Sequence, residues 1–297
     1  MTDQNRPEAQ TNPGRRRFLG TTALAGAAAV LGATGTVSAR PVRLFPTVEA
    51  RKGKAPSAGE PIRIAIIGTG GMGTGHANAL LNFANGGREN LQIVALADPC
   101  DERRANCHNA CTSKQSGVDV QSTRDYREVL KRDDIHAVLV ASPEHWHAQH
   151  AIDALESGKD VYCEKPMTLE LNEAMDVRRA VLKHPDRVFQ VGTQMIMLPK
   201  YKAAREAIKA GTIGPAVWSQ TSYCRNSTTG EWNYYGINPD WKPGVNLDWE
   251  AWLGRLGPRE WDPKVFARWR RYKDFSTGII GDLLVHVMTP LIFALDA

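Results

Sequence analysis

The sequence predicts an α/β protein whose first folded part is a parallel sheet with helices on both faces. Short runs rich in β-branched and other apolar residues recur between residues 62 and 193. Helical patterns separate these runs, so strand and helix alternate along the chain. Most of the runs are continuously apolar, which is typical of strands that are buried on both faces of a sheet.

The alternation begins with a strand at 62–67, followed by a glycine-rich turn and a helix that extends through Leu81. Five further apolar runs predict strands, and the stretches between them predict helices. The strands are predicted at 91–98, 118–121, 136–142, 160–163 and 187–193, and the helices at 101–114, 125–132, 147–159 and 169–184.

The pattern changes after residue 194. A helix at 201–211 leads to residues 215–224, which alternate like a half-exposed strand. An irregular stretch at 225–277 holds most of the tryptophans, and a last helix begins near Gly281. Because aromatic side chains bury large areas, we expect most of these tryptophans in a core and at most one or two at a substrate.

The bulk composition indicates a globular protein of about two domains. Hydrophobic residues make up 42% of the 297 residues and charged residues 23%. The net charge of +5 is mild and spread along the chain, whereas nucleic-acid binding usually shows a concentrated basic patch. We therefore expect no nucleic-acid partner.

Residues 1–39 predict an export signal that is not part of the fold. The motif RRRFL at 15–19 precedes an Ala- and Gly-rich apolar run at 21–37 and a small-residue cleavage site after Ala39. The motif is typical of signals read by the twin-arginine translocase, which indicates a periplasmic protein. A membrane anchor is the alternative, but a span needs about 20 strongly apolar residues and this run is shorter and diluted by glycine.

Five cysteines are present, and an odd number argues against a full disulfide framework. Cys100, Cys107 and Cys111 cluster with His108, which raises the possibility of a metal site. Their spacing matches no common zinc pattern, so we favour buried or unpaired thiols and predict no metal.

Residues 68–73, GTGGMG, fit the pattern G-x-G-x-x-G of dinucleotide-binding loops. They follow a strand and open a helix, which is the context that this motif requires. A turn without side chains can approach a pyrophosphate closely, and the amides at the helix N-terminus can hold its charge. A glycine turn without a ligand is the alternative. The predicted cofactor contacts here are Gly68, Gly70, Gly71, Met72 and Gly73.

Asp98 ends the second predicted strand, where an acidic side chain can accept hydrogen bonds from a ribose diol. Its charge would repel a 2′-phosphate, which favours NAD over NADP. Arg103 and Arg104 follow closely and could counter that repulsion, so NADP remains the alternative.

Two further segments follow strands and therefore lie at the carboxyl edge of the predicted sheet, where ligands bind in this class of fold. SPEHWHAQH at 142–150 follows the fourth strand, and EKP at 164–166 follows the fifth. A cis peptide before Pro166 is plausible. The Glu and His residues of 144–150 could suggest a metal, but helical rotation separates them, so we interpret His147 as a capping or supporting residue.

These motifs together resemble the Gfo/Idh/MocA oxidoreductase family, with similarity from about residue 61 to 297. The resemblance rests on the glycine loop, SPEHWHA, AIDALESGKDVYCEKPMTLELNEA, VFQVGTQ and DLLVH. It implies a Rossmann-type domain followed by an α/β domain with an open, mostly antiparallel sheet. It also implies catalytic residues at Lys165, Asp282 and His286, and further cofactor contacts at Ser142, Pro143, His147, Glu164, Lys165 and Gln194.

The spacing of the implied catalytic residues makes chemical sense. Asp282 and His286 are four apart and can share one helix face. Histidine can act as a general base near neutral pH, and Lys165 can stabilise negative charge on a substrate oxygen. Asp282 can orient the substrate or the imidazole.

The expected function is an exported NAD(P)-dependent oxidoreductase that acts on a sugar or polyol hydroxyl. An NAD-dependent glycosidase on the same scaffold is one alternative, although Lys165 favours the dehydrogenase. A cofactor-binding protein without catalysis is another. We expect a homo-oligomer for the full-length protein.

The domain plan assigns residues 40–60 to a linker or arm, 61–185 to the dinucleotide-binding domain and 186–297 to a partial substrate domain. The family's antiparallel sheet needs more residues than follow 194, so we expect the chain to be a fragment. Free nicotinamide cofactor should be scarce in the periplasm, so we also expect a tightly retained cofactor, with the arm lying across its adenosine side.

Overall fold

The computed structural model describes residues 53–296, and these residues contain a six-stranded parallel sheet. The strand order is β3-β2-β1-β4-β5-β6. Strands β2 and β3 therefore lie on one side of β1, and strands β4 to β6 lie on the other. The strands are β1 Ile62–Ile67, β2 Leu91–Ala97, β3 Gln121–Thr123, β4 Ala137–Val140, β5 Asp160–Cys163 and β6 Phe189–Val191.

Helices connect these strands as the sequence predicts. They are α1 Gly71–Asn85, α2 Asp101–Thr112, α3 Tyr126–Leu130, α4 Glu144–Glu156 and α5 Leu171–Lys183. Local signals fix some of the starts: the Asp125 carboxylate accepts from the amide of Arg127 at 2.9 Å, and Glu170 and Glu173 form a capping box at α5.

The core lies on both faces of the sheet, as expected for continuously apolar strands. Side chains from β1, β2, β4 and β5 are fully or almost fully buried between the helices, among them Ile66, Ile67, Ile93 and Val140. The chain order reverses between β1 and β4, which opens a crevice at the carboxyl ends of these strands. The predicted α/β class and its parallel sheet are confirmed.

The C-terminal part is helical and irregular. Its helices are α6 Pro199–Lys209, α7 Trp249–Leu253, α8 Pro263–Ala267 and α9 Val285–Leu295, with a π-helical turn at Ile280–Leu284 directly before α9. The segment predicted as irregular, 225–277, has its own core, to which Trp249, Trp252, Phe266, Trp269 and Phe275 contribute. Most of its tryptophans are therefore structural.

The prediction of a strand at 215–224 was wrong. These residues form no regular element, and Val217 and Trp218 are 94% and 77% exposed. A strand requires a neighbour that satisfies its backbone, and no residue of 53–296 pairs with this segment in a sheet. The expected antiparallel sheet is likewise not formed by the described residues.

The expected position of the arm is also wrong for the part that the structure describes. Gly53 packs against the carbonyl of Gly158 and the side chain of Arg187, and the carbonyl of Gly59 accepts from Asn90. Gly158 and Asn90 precede β5 and β2, so residues 53–60 lie at the amino edge of the sheet, opposite the crevice. Residues 40–52 and the export signal lie outside the described residues.

Within residues 53–296, no helix has both the length and the hydrophobicity needed to cross a membrane.

Candidate functional site at the carboxyl edge of the sheet

The glycine loop has the geometry of a phosphate cradle. Gly68 adopts φ +91°, and a Cβ there or at Gly73 would collide with backbone atoms of residues 141–142 or of Gly68 respectively. At Gly70 and Gly71, by contrast, a Cβ would meet open space, apart from Arg103 at 3.9 Å. Gly68 and Gly73 thus close the turn, whereas Gly70 and Gly71 leave the space that a phosphate would occupy.

Helix α1 adds charge complementarity to this cradle. It begins at Gly71 directly after the loop, and no side chain caps its N-terminus. Its first amides therefore remain available to an anion, with the positive end of the helix dipole behind them. Met72 lies in this first turn and is 47% exposed. The residues present fit a dinucleotide pyrophosphate.

Asp98 lies at the end of β2, where the sequence places a ribose contact, but it also has a structural task. Its two carboxylate oxygens accept from the amides of Thr69 at 2.8 Å and Cys100 at 2.9 Å. The side chain is 6% exposed. It therefore ties the glycine loop to the start of α2, and its role as a ribose ligand stays a prediction.

The two arginines after Asp98 differ in their environment. Arg104 donates to the Asp98 carbonyl at 2.7 Å and to the Asp101 carboxylate at 2.8 Å, which commits it to the local fold. Arg103 stacks over Phe266 at 4.1 Å and extends toward Gly70. Only Arg103 is therefore placed to contact a cofactor phosphate.

The histidines of 144–150 serve separate structural contacts. His147 lies between two backbone carbonyls, with Nδ1 2.6 Å from Pro166 O and Nε2 2.7 Å from Ser142 O. His145 contacts the Trp252 carbonyl at 2.9 Å, and His150 contacts the Ser142 hydroxyl at 3.0 Å. Among residues 53–296, no three His, Cys, Asp or Glu side chains are arranged to hold a metal ion.

His147 thus joins the ends of β4 and β5 at the predicted cofactor edge. Burial lowers its pKa, although the two carbonyls act in the opposite direction. Its supporting role agrees with the interpretation from sequence.

Lys165 and Asp282, which are 117 residues apart in sequence, meet at this edge. The Lys165 ammonium donates to the backbone carbonyl of Asp282 at 2.9 Å and to its carboxylate at 3.0 Å. Both side chains are largely buried, at 12% and 5% exposure. Arg270 lies 3.3 Å from the same carboxylate oxygen. Two cations therefore share one buried carboxylate, which fixes the lysine in position.

His286 lies one turn after Asp282, at the start of α9, and is half-buried. Its Nδ1 is buried without a hydrogen-bond partner among residues 53–296. Burial lowers the pKa of His286, the charge of Lys165 lowers it further, and the charges of Asp282 and Glu164 partly oppose both. The imidazole is therefore neutral at pH 7 and able to accept a proton.

Residues 62–193 match the Gfo/Idh/MocA family, which is described as an oxidoreductase family with an NAD-binding Rossmann fold. This range spans the six strands and their five helices. Residues 62–193 are thus similar to the Rossmann domains of this family.

Curated proteins that are similar to this chain include two inositol 2-dehydrogenases. The protein from Rubrobacter xylanophilus is 32% identical over 177 residues, which cover 58% of this chain and 48% of the relative. The one from Saccharopolyspora erythraea is 31% identical over 170 residues, covering 57% and 47%. The chain thus spans about half the length of the curated relatives it matches.

Solved structures share the fold over a longer range. An oxidoreductase domain protein from Kribbella flavida superposes with a TM-score of 0.55 at 24% identity, covering 80% of this chain and 54% of that protein. A levoglucosan dehydrogenase in complex with NADH and levoglucosan gives 0.56 at 22% identity, covering 79% and 54%.

Two further contacts implied by the resemblance are Glu164, which precedes Lys165, and Gln194. The peptide between Lys165 and Pro166 is cis. The Glu164 carboxylate lies 2.7 Å from His76 Nε2. Burial alone would raise the pKa of Glu164, but the hydrogen bond and charge of His76 and the charge of Lys165 lower it. Gln194 follows β6 at the start of a 3₁₀ turn and is exposed.

Sequence reasoning missed the roles of three contributors to this site. Arg270 stands in the run RWRR, which resembles an ordinary solvated charge cluster. His76 carries no signal beyond its place on a helix after the glycine loop. Glu144, fully buried, accepts from the Ser276 hydroxyl at 2.7 Å and from the Thr277 amide at 2.6 Å and hydroxyl at 2.8 Å. It therefore ties the start of α4 to the turn that precedes Asp282.

Proposed function

We propose that this chain carries the cofactor site and catalytic groups of an NAD-dependent dehydrogenase that oxidises a sugar or polyol hydroxyl. The observation that supports this most directly is the buried pairing of Lys165 with Asp282, beside a neutral His286. The family description and the inositol 2-dehydrogenases among its relatives agree with a polyol as the substrate class.

The chain's own residues account for the proton and charge changes of an alcohol oxidation. The reaction removes a hydroxyl proton while hydride leaves the carbon, and bound NAD supplies the hydride acceptor. A ring nitrogen of His286 takes the proton as general base. The Lys165 ammonium, positioned by Asp282, donates a hydrogen bond to the substrate oxygen and stabilises the negative charge that develops there.

Arg270 has a supporting role in this scheme. Because it approaches the same oxygen of Asp282, it keeps that carboxylate in place when Lys165 turns part of its hydrogen bonding toward substrate. Without Arg270, part of the buried negative charge of Asp282 would have no neighbouring positive charge to balance it.

The test is a two-step assay on the full-length protein. Mass spectrometry first identifies any nucleotide released on denaturation, and a panel of sugars and polyols is then followed by nicotinamide absorbance. Substrate-dependent reduction of NAD supports the proposal. Cleavage of a glycoside without net reduction would instead indicate the glycosidase chemistry, and nucleotide binding without turnover on any substrate would indicate a non-catalytic protein.

We also propose that the protein acts in the periplasm after twin-arginine export. The RRRFL motif and the apolar run that follows it support this. Fractionation of cells that express the full chain would test it: replacement of Arg15 and Arg16 by Lys should leave the protein in the cytoplasm, and periplasmic recovery of that variant would contradict the proposal.

A further inference from the structure

Arg270 has hydrogen-bond donors that its observed contacts do not use. It lies in the 3₁₀ turn Trp269–Arg271, which follows α8, and its Nε lies 3.3 Å from the Asp282 carboxylate. The Trp269 ring packs against the guanidinium, with its centroid 4.2 Å from the central carbon. Neither Nη group has a hydrogen-bond partner among residues 53–296. The fork formed by these two groups is therefore free to bind an acceptor.

The free fork lies beside the group that is proposed to contact the reacting oxygen of the substrate. Arg270 Nε and Lys165 Nζ approach the same oxygen of Asp282, so the two cations are neighbours. Burial is the largest cause that lowers the pKa of His147, and the charge of Arg270 lowers it as well. The guanidinium therefore lies near the ends of β4 and β5, which His147 joins. A substrate oxygen on Lys165 would place the rest of the substrate within reach of Arg270.

The neighbouring arginines are engaged elsewhere. Arg268 Nε donates to the Tyr235 carbonyl at 3.0 Å, and the exposed Arg271 donates to the Asn233 side chain. Of the three arginines in this run, it is Arg270 whose contact lies in the candidate site. A role for Arg270 can therefore be separated from the general positive charge of the run.

The charges at this end of the cleft do not cancel. Lys165 and Arg270 share the single carboxylate of Asp282, which leaves one positive charge in excess. Glu164 is a second acidic side chain near Lys165, but its two oxygens contact His76 Nε2 at 2.7 Å and the Lys165 amide at 3.1 Å. Neither oxygen is bonded to Arg270. Because a largely buried cation is stabilised by an anionic partner, this excess favours a substrate with a negative charge.

We propose that Arg270 binds a carboxylate of the substrate, and that the substrate class is therefore sugar acids, such as uronates and aldonates. The assignment rests on the proposed function, since it requires a substrate hydroxyl on Lys165. A planar guanidinium fork matches the two oxygens of a carboxylate, and such charge-assisted pairs are strong and selective. A single excess charge matches a carboxylate better than a phosphate ester, which carries about 1.5 to 2 negative charges. The carboxylate takes no part in the hydride transfer.

A purely supporting role for Arg270 predicts a different result. If Arg270 only holds Asp282 in place, its removal lowers turnover of acidic and neutral substrates by the same factor. If it also binds the carboxylate, the acidic substrate alone loses a further interaction, and this loss falls mainly on KM.

The experiment compares sugar acids with their neutral counterparts, using full-length protein supplied with NAD. The ratio of kcat/KM is measured for glucuronate against glucose, galacturonate against galactose and gluconate against glucitol. Glucose 6-phosphate is the anion without a carboxylate. Arg270→Gln removes the fork, and Arg270→Lys keeps the charge without the planar geometry. Arg271→Gln, which removes one positive charge from the adjacent exposed position, is the matched control.

We expect the wild-type protein to prefer the acid in at least one pair. For that pair, Arg270→Gln should lower the ratio of acid to neutral kcat/KM by about 10–100-fold, and Arg270→Lys should lower it less. The Arg271→Gln control should leave the ratio nearly unchanged. Thermal unfolding checks that each variant is folded, and Arg270→Lys still decides if Arg270→Gln is not.

Three outcomes would overturn the assignment. They are an equal loss for the acid and its neutral counterpart in Arg270→Gln, an equal change of the ratio in the Arg271→Gln control, and a wild-type preference for the neutral sugars or for the phosphate ester. If the wild-type protein reduces NAD with neither acidic nor neutral substrates, the proposed function itself fails.

Discussion

The two ends of the proposed cofactor cleft differ in composition. The end proposed for the phosphates consists mainly of backbone, namely the glycine loop and the uncapped amides of α1. The end proposed for the nicotinamide consists of charged side chains, with Lys165 and Arg270 in contact with Asp282 and with His286 beside them. On the proposed function, shape governs binding at one end and charge governs chemistry at the other, so mutations should separate the two effects.

The largest effect is expected from steric blockage of the backbone end. Gly70→Val should fold normally, because Gly70 has an ordinary φ of −65° and open space at its Cβ, yet it should eliminate NAD binding by filling the phosphate cradle. Calorimetry measures NAD binding, and a thermal melt shows whether the variant is folded. The matched variant Gly73→Val should instead destabilise the fold, because its Cβ collides with Gly68. Tight NAD binding by folded Gly70→Val would show that this end is not defined by shape.

A charge change at the other end should leave binding intact. Lys165→Ala should reduce kcat by about 10²–10³-fold, since it removes one preorganised donor to the substrate oxygen. NAD affinity should change little, because the lysine lies away from the phosphate cradle. Lys264→Ala is the exposed control, and turnover near the wild-type rate in Lys165→Ala would remove the lysine from the mechanism.

A finer test follows the ionisation of His286 itself. Burial and the Lys165 charge hold its pKa below the usual 6.5, so kcat/KM should fall as pH decreases through that lowered pKa and the base becomes protonated. Lys165→Met should raise the pKa, and Asp282→Asn should lower it. NMR titration of the imidazole measures both without turnover. Shifts of the same sign in the two variants would contradict the charge arrangement described for this end.

The smallest effect is expected at Glu144, which connects the start of α4 to the turn before Asp282. Glu144→Gln keeps the shape of the side chain but replaces an accepting oxygen with an amide donor, so one bond to Ser276 or Thr277 is lost. The free energy of unfolding should decrease by about 1–3 kcal/mol. NAD affinity should hold while kcat decreases modestly, because the turn before Asp282 loosens. Chemical denaturation and steady-state kinetics measure the two; Ser276→Ala, which removes a single neutral donor, should be milder.

The sequence predicted the sheet well because each strand is specified by its own residues. The runs at 62–67 and 160–163 coincide with β1 and β5, since continuous apolar residues between helices have no other stable arrangement. The short strand expected at 118–121 is shifted to Gln121–Thr123, where the apolar run is weakest. Residues 215–224 show the limit of such predictions. Alternating apolar and polar residues form a strand only if a neighbouring strand pairs with them, and the local sequence does not specify that neighbour.

The candidate site also combines residues that local sequence indicates with residues that depend on distant contacts. The sequence predicts Lys165, Asp282 and His286 because they match motifs of the family that it resembles, and the structure brings the first two into contact. Arg270 and Glu144 could not be predicted, because their roles depend on contacts with residues 12 and more than 130 positions away. Similarly, the position expected for the arm was inferred from its place in the chain, whereas residues 53–60 lie at the amino edge of the sheet through contacts with Gly158 and Asn90.

On the proposed route of export, the five free cysteines have a consequence for the order of folding and translocation. Cys100, Cys107, Cys111 and Cys163 are buried, and Cys224 alone is exposed. Burial raises the pKa of the Cys100 and Cys163 thiols, which keeps them protonated and unreactive. A chain that entered an oxidising compartment unfolded would present five thiols to disulfide exchange, with Cys107 and Cys111 one helical turn apart. A chain that arrived folded would present only the thiol of Cys224.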